Sequence, residues 1–163
     1  EEVPFINSEV DLSKVKEENY CLNGDLIMAD ASEDYQGIGK SVEIFNIRNK
    51  KIVAGLHTFL LRDKNKILAD GFRGYLHAIS TVKAAFDRLA TGLKVYGISK
   101  NNLTKIFLPV PSIEEQTAIA KILADMDSEI QALEKRLVKT RQIKQGMMQE
   151  LLTGKTRLVQ PEA

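Results

Sequence analysis

Residues 34–41 end in Gly39-Lys40-Ser41, the way a phosphate-binding P-loop ends. A P-loop needs a glycine, four residues, then Gly-Lys-Ser/Thr, so that backbone N–H groups wrap the phosphates and the lysine neutralises them. Here the first glycine is replaced by Asp34, with Glu33 beside it, and two carboxylates repel a triphosphate. The nucleotide cradle is thereby excluded. A smaller device survives: Gly37 and Gly39 allow close backbone approach, while Lys40 and Ser41 can donate to a phosphate.

Other residues offer the same chemistry. Arg73, between Gly71-Phe72 and Gly74-Tyr75, carries a planar fork that suits guanine or phosphate. The small-residue stretch Thr91–Ser99 brings Lys94 and Tyr96, with Lys100 just beyond. For each, the competing reading is a solvated surface residue, or for Tyr96 a core aromatic. His57 can donate to a base or phosphate or be a satisfied structural histidine, and His77 falls inside a helical pattern and reads as structural. Neither histidine has a Cys or His at ligand spacing, so no zinc site is expected and no cofactor is expected in this chain. No nucleophile–base constellation, methylation motif or nuclease-like carboxylate set is present, and the chain is expected to be non-enzymatic.

The charge distribution says what such donors would meet. Residues 1–34 hold ten acids against Lys14 and Lys16, whereas residues 35–110 hold thirteen Lys and Arg against four acids. A middle that basic suits a polyanion, since phosphate contacts supply much of nucleic-acid affinity; a solvated basic face is the alternative. The single cysteine, Cys21, excludes an internal disulfide and fits a reducing cytoplasm, where the chain is expected to work. No apolar run approaches the roughly 20 residues of a membrane span. The first residue is Glu1, so the chain is expected to be a piece of a longer protein or a processed form.

These residues need a scaffold, and the pattern predicts an α+β one. Asp25–Ala29 after the Asn23-Gly24 turn, the alternating Val42–Ile47, Ile52–Ala54 and Thr58–Leu61 read as strands. Lys105–Val110 reads as a last strand pushed to an edge by Pro109. Gly74–Ala90 has helical spacing of Leu76, Ile79, Val82, Phe86 and Leu89, stopped by Gly92. The mixed α/β globule is expected over residues 1–111.

Residues 112–155 change character. Ser112-Ile-Glu-Glu115 is a capping box, proline is absent until Gln160-Pro161, and Gly154 is the natural stop. About forty residues rising 1.5 Å each give a helix of roughly 60 Å. Ile119, Met126, Leu133 and Met147 take one heptad position, and Leu123, Ile130, Leu137 and Leu151 the other. A seam that narrow leaves most of the helix wet, so it must zip against another helix: a second copy, a missing part of the same polypeptide, or a different subunit. Lys135, Arg136, Lys139, Arg141 and Lys144 read as flanking charges of that coiled coil, and residues 156–163 as a flexible tail.

The order and spacing of several segments carry a resemblance. Gly97-Ile-Ser-Lys-Asn-Asn-Leu103, Ile106-Phe-Leu-Pro-Val-Pro111, Ser112-Ile-Glu-Glu-Gln116 and Lys144-Gln-Gly-Met-Met-Gln-Glu-Leu-Leu-Thr-Gly-Lys155 resemble the end of a target-recognition domain and its helical conserved region in type I restriction–modification specificity subunits. Asn23-Gly-Asp-Leu-Ile-Met-Ala29 and Gly37-Ile-Gly-Lys40 are similar to that family's early pattern. The resemblance implies one reading head for half of a bipartite double-stranded DNA site. It also implies helices that pair antiparallel as a spacer and dock methyltransferase subunits, which bind S-adenosylmethionine, with restriction subunits joining for cleavage. With one head and one helix, the chain resembles the C-terminal half of such a subunit or a half-length one, its domain lacking an opening segment. Isolated, it is expected to form a homodimer through the helix and to suit a palindromic split site. The competing function is a structural coiled-coil adaptor without DNA binding of its own.

Overall fold

The computed structural model describes residues 13, 15–34, 36–92 and 94–159 of the chain. The first twelve residues of the acidic opening lie outside the described residues, as do residues 160–163 of the expected tail. The chain divides into two compact units, Glu1–Ala120 and Lys121–Ala163.

The architecture is α+β, as the pattern predicts. In the first unit β1 (Leu26–Ala29) is the middle of a three-stranded antiparallel sheet. It is flanked by β3 (Ser41–Glu43) and β4 (Thr58–Leu61), while β2 (Ala31–Ser32) pairs separately with β5 (Tyr96–Gly97). Side chains alternate across a strand, so Leu26 and Met28 share one face and Ile27 lies on the other, opposite Val42 and Leu60. The Leu26 and Met28 face is covered by Ile38, Ile98 and the buried side of α1 (Ser80–Leu89), Val82 and Phe86. Burying a side chain such as Phe86 contributes about 1.5–3 kcal/mol, so this face anchors the sheet.

Four sequence expectations change in detail, the first being the strand expected over Ile52–Ala54, which is reduced to an isolated antiparallel bridge between Val53 and Tyr20. The strand expected over Val42–Ile47 ends at Glu43, because Asn46 and Arg48 turn the chain through positive φ and send Ile44 and Ile47 into a small cluster with Cys21. The helix expected over Gly74–Ala90 is split: a 3-10 segment, Arg73–Ala78, precedes α1, and Ile79 between them is extended. The split lets one run serve two cores, since Leu76 packs with Ala69, Phe72 and Ala120 while Val82 and Phe86 face the sheet, and Ile79 touches both. Lys105–Val110 forms no ladder; a turn from Leu103 to Ile106 sends Ile106 against the core and leaves Phe107 exposed. A short helix, α2 (Lys100–Leu103), capped by Ser99, stands just before it.

The long helix is present as α3, Ile113–Leu152. Its start is capped by the Ser112 hydroxyl, which accepts from the Glu115 N–H at 3.3 Å. The Glu114 carboxyl is held below its usual pKa by its own backbone N–H and then by the Ser112 hydroxyl. The first turns belong to the globular unit. Gln116 is fully buried: its oxygen accepts from Ala69 N–H at 2.8 Å and its amide donates to the carbonyls of Pro111 and Ile67. Ile119, expected on the helix–helix seam, packs with Ala120 against the Ala69, Phe72 and Leu76 cluster instead. Leu123 and Leu151 are half-buried, whereas Met126, Ile130, Leu133, Leu137 and Met147 are each about half or more exposed.

Candidate nucleic-acid interface

The two ends of β1 differ chemically. At its start, Asp25 is buried and receives a two-point contact from Arg62, Nε to Oδ1 at 2.9 Å and Nη2 to Oδ2 at 2.6 Å. Beside it the Arg73 guanidinium donates to Glu43 at 3.1 Å, Asp70 at 2.8 Å and the carbonyls of Gly24 and Leu68. Glu43 also accepts from the N–H groups of Gly71 and Gly74. Gly24 has φ +83, and a Cβ there would strike the Arg73 guanidinium, so only glycine lets the arginine pass. The expectation that Arg73 forks onto guanine or phosphate is thus corrected: its side chain is 10% exposed and committed to the fold.

The other end gathers most of the remaining expected residues. β3 begins opposite Met28 and β4 opposite Ala29, so Gly39-Lys40 and His57 both reach the end of β1. Ala29 N–H bonds to the Lys40 carbonyl, and Asp30 N–H to the His57 carbonyl. Immediately after, Ser32 sits opposite Tyr96, and the Thr91–Gly97 bridge closes the loop that carries Lys94. Lys100 opens α2 two residues after Ile98, whose N–H bonds to Asp30.

Within this edge, roles divide. Gly39 is buried with φ +73, and a Cβ would lie 2.8 Å from the Phe86 ring, so this glycine serves the core. Ser41 is buried too, its hydroxyl 3.1 Å from His77 Nδ1, and is not the free phosphate donor the sequence suggested. Burial lowers the His77 pKa; the Gly74 backbone offsets part of this and Lys40 adds to it. Tyr96 is half-buried against the Leu26 and Met28 core. Lys40, Lys94, Lys100 and His57 are exposed, and none of the three lysines makes an ion pair among the described residues.

Sequence reasoning missed Asp30, Asp25–Arg62, Glu43 and Gln116. Isolated acids at strand ends and a glutamine just after a capping box carry no periodic signal of their own. Among the described residues no group of three His, Cys, Asp or Glu could hold a metal ion, and no helix is long and apolar enough to cross a membrane.

Comparison with known proteins agrees with the sequence pattern. The family model described as the type I restriction modification DNA specificity domain matches residues 1–144. Two Methanocaldococcus jannaschii proteins are similar. One, provisionally named type I restriction enzyme MjaX specificity subunit, is 27% identical over 90% of this chain and 37% of its own length. The other, named type I restriction enzyme MjaVIII specificity subunit, is 36% identical over 57% of this chain and 21% of its own length. The chain therefore spans well under half the length of these relatives.

Proposed function

The chain belongs to the type I restriction modification DNA specificity domain family, and from that premise we propose that it reads one half of a bipartite duplex site through the far end of β1. The observation that carries this reading is the exposed set of Lys40, Lys94 and Lys100 beside His57, with none of the three lysines ion-paired among the described residues. Lysines left without carboxylate partners are what phosphate contacts require, and the polar groups between them are available to base edges. The chain contributes no cofactor; S-adenosylmethionine belongs to methyltransferase subunits that dock with it, and restriction subunits join through them.

The helix supplies spacing and pairing. From Ile113 to Glu134 it carries six acids against Lys121, while from Lys135 to Arg157 seven bases face only Glu150. Two copies side by side and antiparallel set acid against base along their length, whereas a parallel pair sets like against like. The sign changes between Glu134 and Lys135, so the twofold falls near Leu133 and Leu137, both half exposed. Leu133→Glu brings two carboxylates together at that point, and sedimentation should return the 18.2 kDa monomer. A wild-type chain that is monomeric at micromolar concentration counts against the homodimer. Retention on duplex DNA that weakens with salt separates a DNA reader from an adaptor, which would show none.

A further inference from the structure

Two buried side-chain atoms among the described residues have no hydrogen-bond partner: Arg73 Nε and Asp30 Oδ1. The arginine atom belongs to a guanidinium whose other two nitrogens are both hydrogen-bonded. The carboxylate atom is different, because it lies at the open end of the sheet with a candidate donor close by. His57 Nδ1 is 3.9 Å from Asp30 Oδ1, just beyond hydrogen-bond distance, and the imidazole is 71% exposed. A buried acceptor left unmet is costly, so a short side-chain rotation that closes the gap is favoured.

The backbone has already set the two residues for this. Asp30 is pinned on both sides: its N–H bonds to the His57 carbonyl at 3.1 Å, and its carbonyl accepts from Ile98 at 2.9 Å. His57 has φ 59, a left-handed conformation uncommon for a side-chain-bearing residue, and it is held there where β4 begins. The nitrogen of a histidine that carries the proton is set by the bond its partner nitrogen makes. A carboxylate on the inner side demands Nδ1–H, which leaves Nε2 outward as an acceptor.

We propose that Asp30 is a positioning residue for base readout: it holds His57 in the Nδ1–H form, so that Nε2 accepts from an exocyclic amine of adenine or cytosine in the major groove. This rests on the DNA-reading function proposed above. The amines are the only base donors in that groove, so an acceptor fixed there distinguishes amine-bearing bases from guanine and thymine.

Two measurements on the full chain test it. Nitrogen-15 NMR of the imidazoles, with His57 assigned through His57→Asn (a residue that tolerates positive φ), should show the Nδ1–H form in the wild type. It should be lost in Asp30→Ala and kept in Asp30→Asn, which retains an acceptor oxygen. A wild-type His57 in the Nε2–H form overturns the proposal without touching the DNA-reading function. Selection from randomised duplexes should show wild-type preference at one amine-bearing position relaxed about tenfold in Asp30→Ala and His57→Asn. Equal loss at every position would make His57 a phosphate contact and overturn base readout. If the wild type selects no duplex at all, the function reading falls with it; if selection is unchanged in both variants, only this inference falls.

Discussion

The start of β1 and its end are separated by four residues, Leu26–Ala29, yet they handle charge in opposite ways. At the start, two arginines are folded inward and each meets a buried carboxylate, Asp25 with Arg62 and Glu43 with Arg73. At the end, among the described residues, lysines stand in solvent without an ion pair and a carboxylate oxygen lies buried without a donor. Burying a charge is costly unless it is paired and hydrogen-bonded, so the first arrangement holds the fold together. Exposed charges contribute little to stability and remain available to a ligand. A cation's position along a short strand thus decides whether it stabilises the domain or serves its partner.

That contrast can be broken at the start with one substitution. Glu43→Ala strands the Arg73 guanidinium and orphans the N–H groups of Gly71 and Gly74, and should cost about 3–5 kcal/mol in denaturant unfolding. A loss below about 1 kcal/mol would mean that the arginine cluster is not what closes this end.

A smaller effect should come from pH. The His77 imidazole shares a hydrogen bond with Ser41 and has its pKa lowered from 6.5, chiefly by burial. The unfolded chain then binds the proton more readily than the folded one, so its contribution to stability is complete above about pH 6.5 and is lost as pH falls through the lower folded value. Thermal unfolding between pH 7.5 and 5.5 should show this loss, and His77→Gln should flatten its share.

At the open end, Lys40→Ala and Lys94→Ala should change stability least, by under about 0.5 kcal/mol. Their effect should fall on duplex binding, with the log–log salt slope shrinking by about one per lysine removed. If stability falls and the slope does not, the two ends are not divided as described.

The sequence made the strands Leu26–Ala29 and Thr58–Leu61 and the long helix legible, because each rests on local periodicity and turn or capping chemistry. It was less able to show where Arg73 goes. An arginine between two glycines looks like a surface fork, and only the distant Glu43 and the Gly24 carbonyl reveal it as internal. Lys40 and Ser41 are neighbours with the same donor chemistry, yet the pleat sends Ser41 inward to His77 and leaves Lys40 outside. Positive φ at Asn46 and Arg48 cut short a strand whose alternation was otherwise good. For Arg73 and Ser41 the deciding contact lies far along the chain, where pattern has no reach.

Gln116 bears on how such a protein can be recombined. A crossover placed at the composition change after Pro111 would give the recipient a globule lacking Gln116 and Ala120, with the Ala69 N–H unmet and the Phe72 and Leu76 cluster open. A crossover placed after Ala120 carries both residues across with the head they complete. The unit of exchange therefore includes the opening turns of its own helix, and a graft that respects this boundary transfers a finished core.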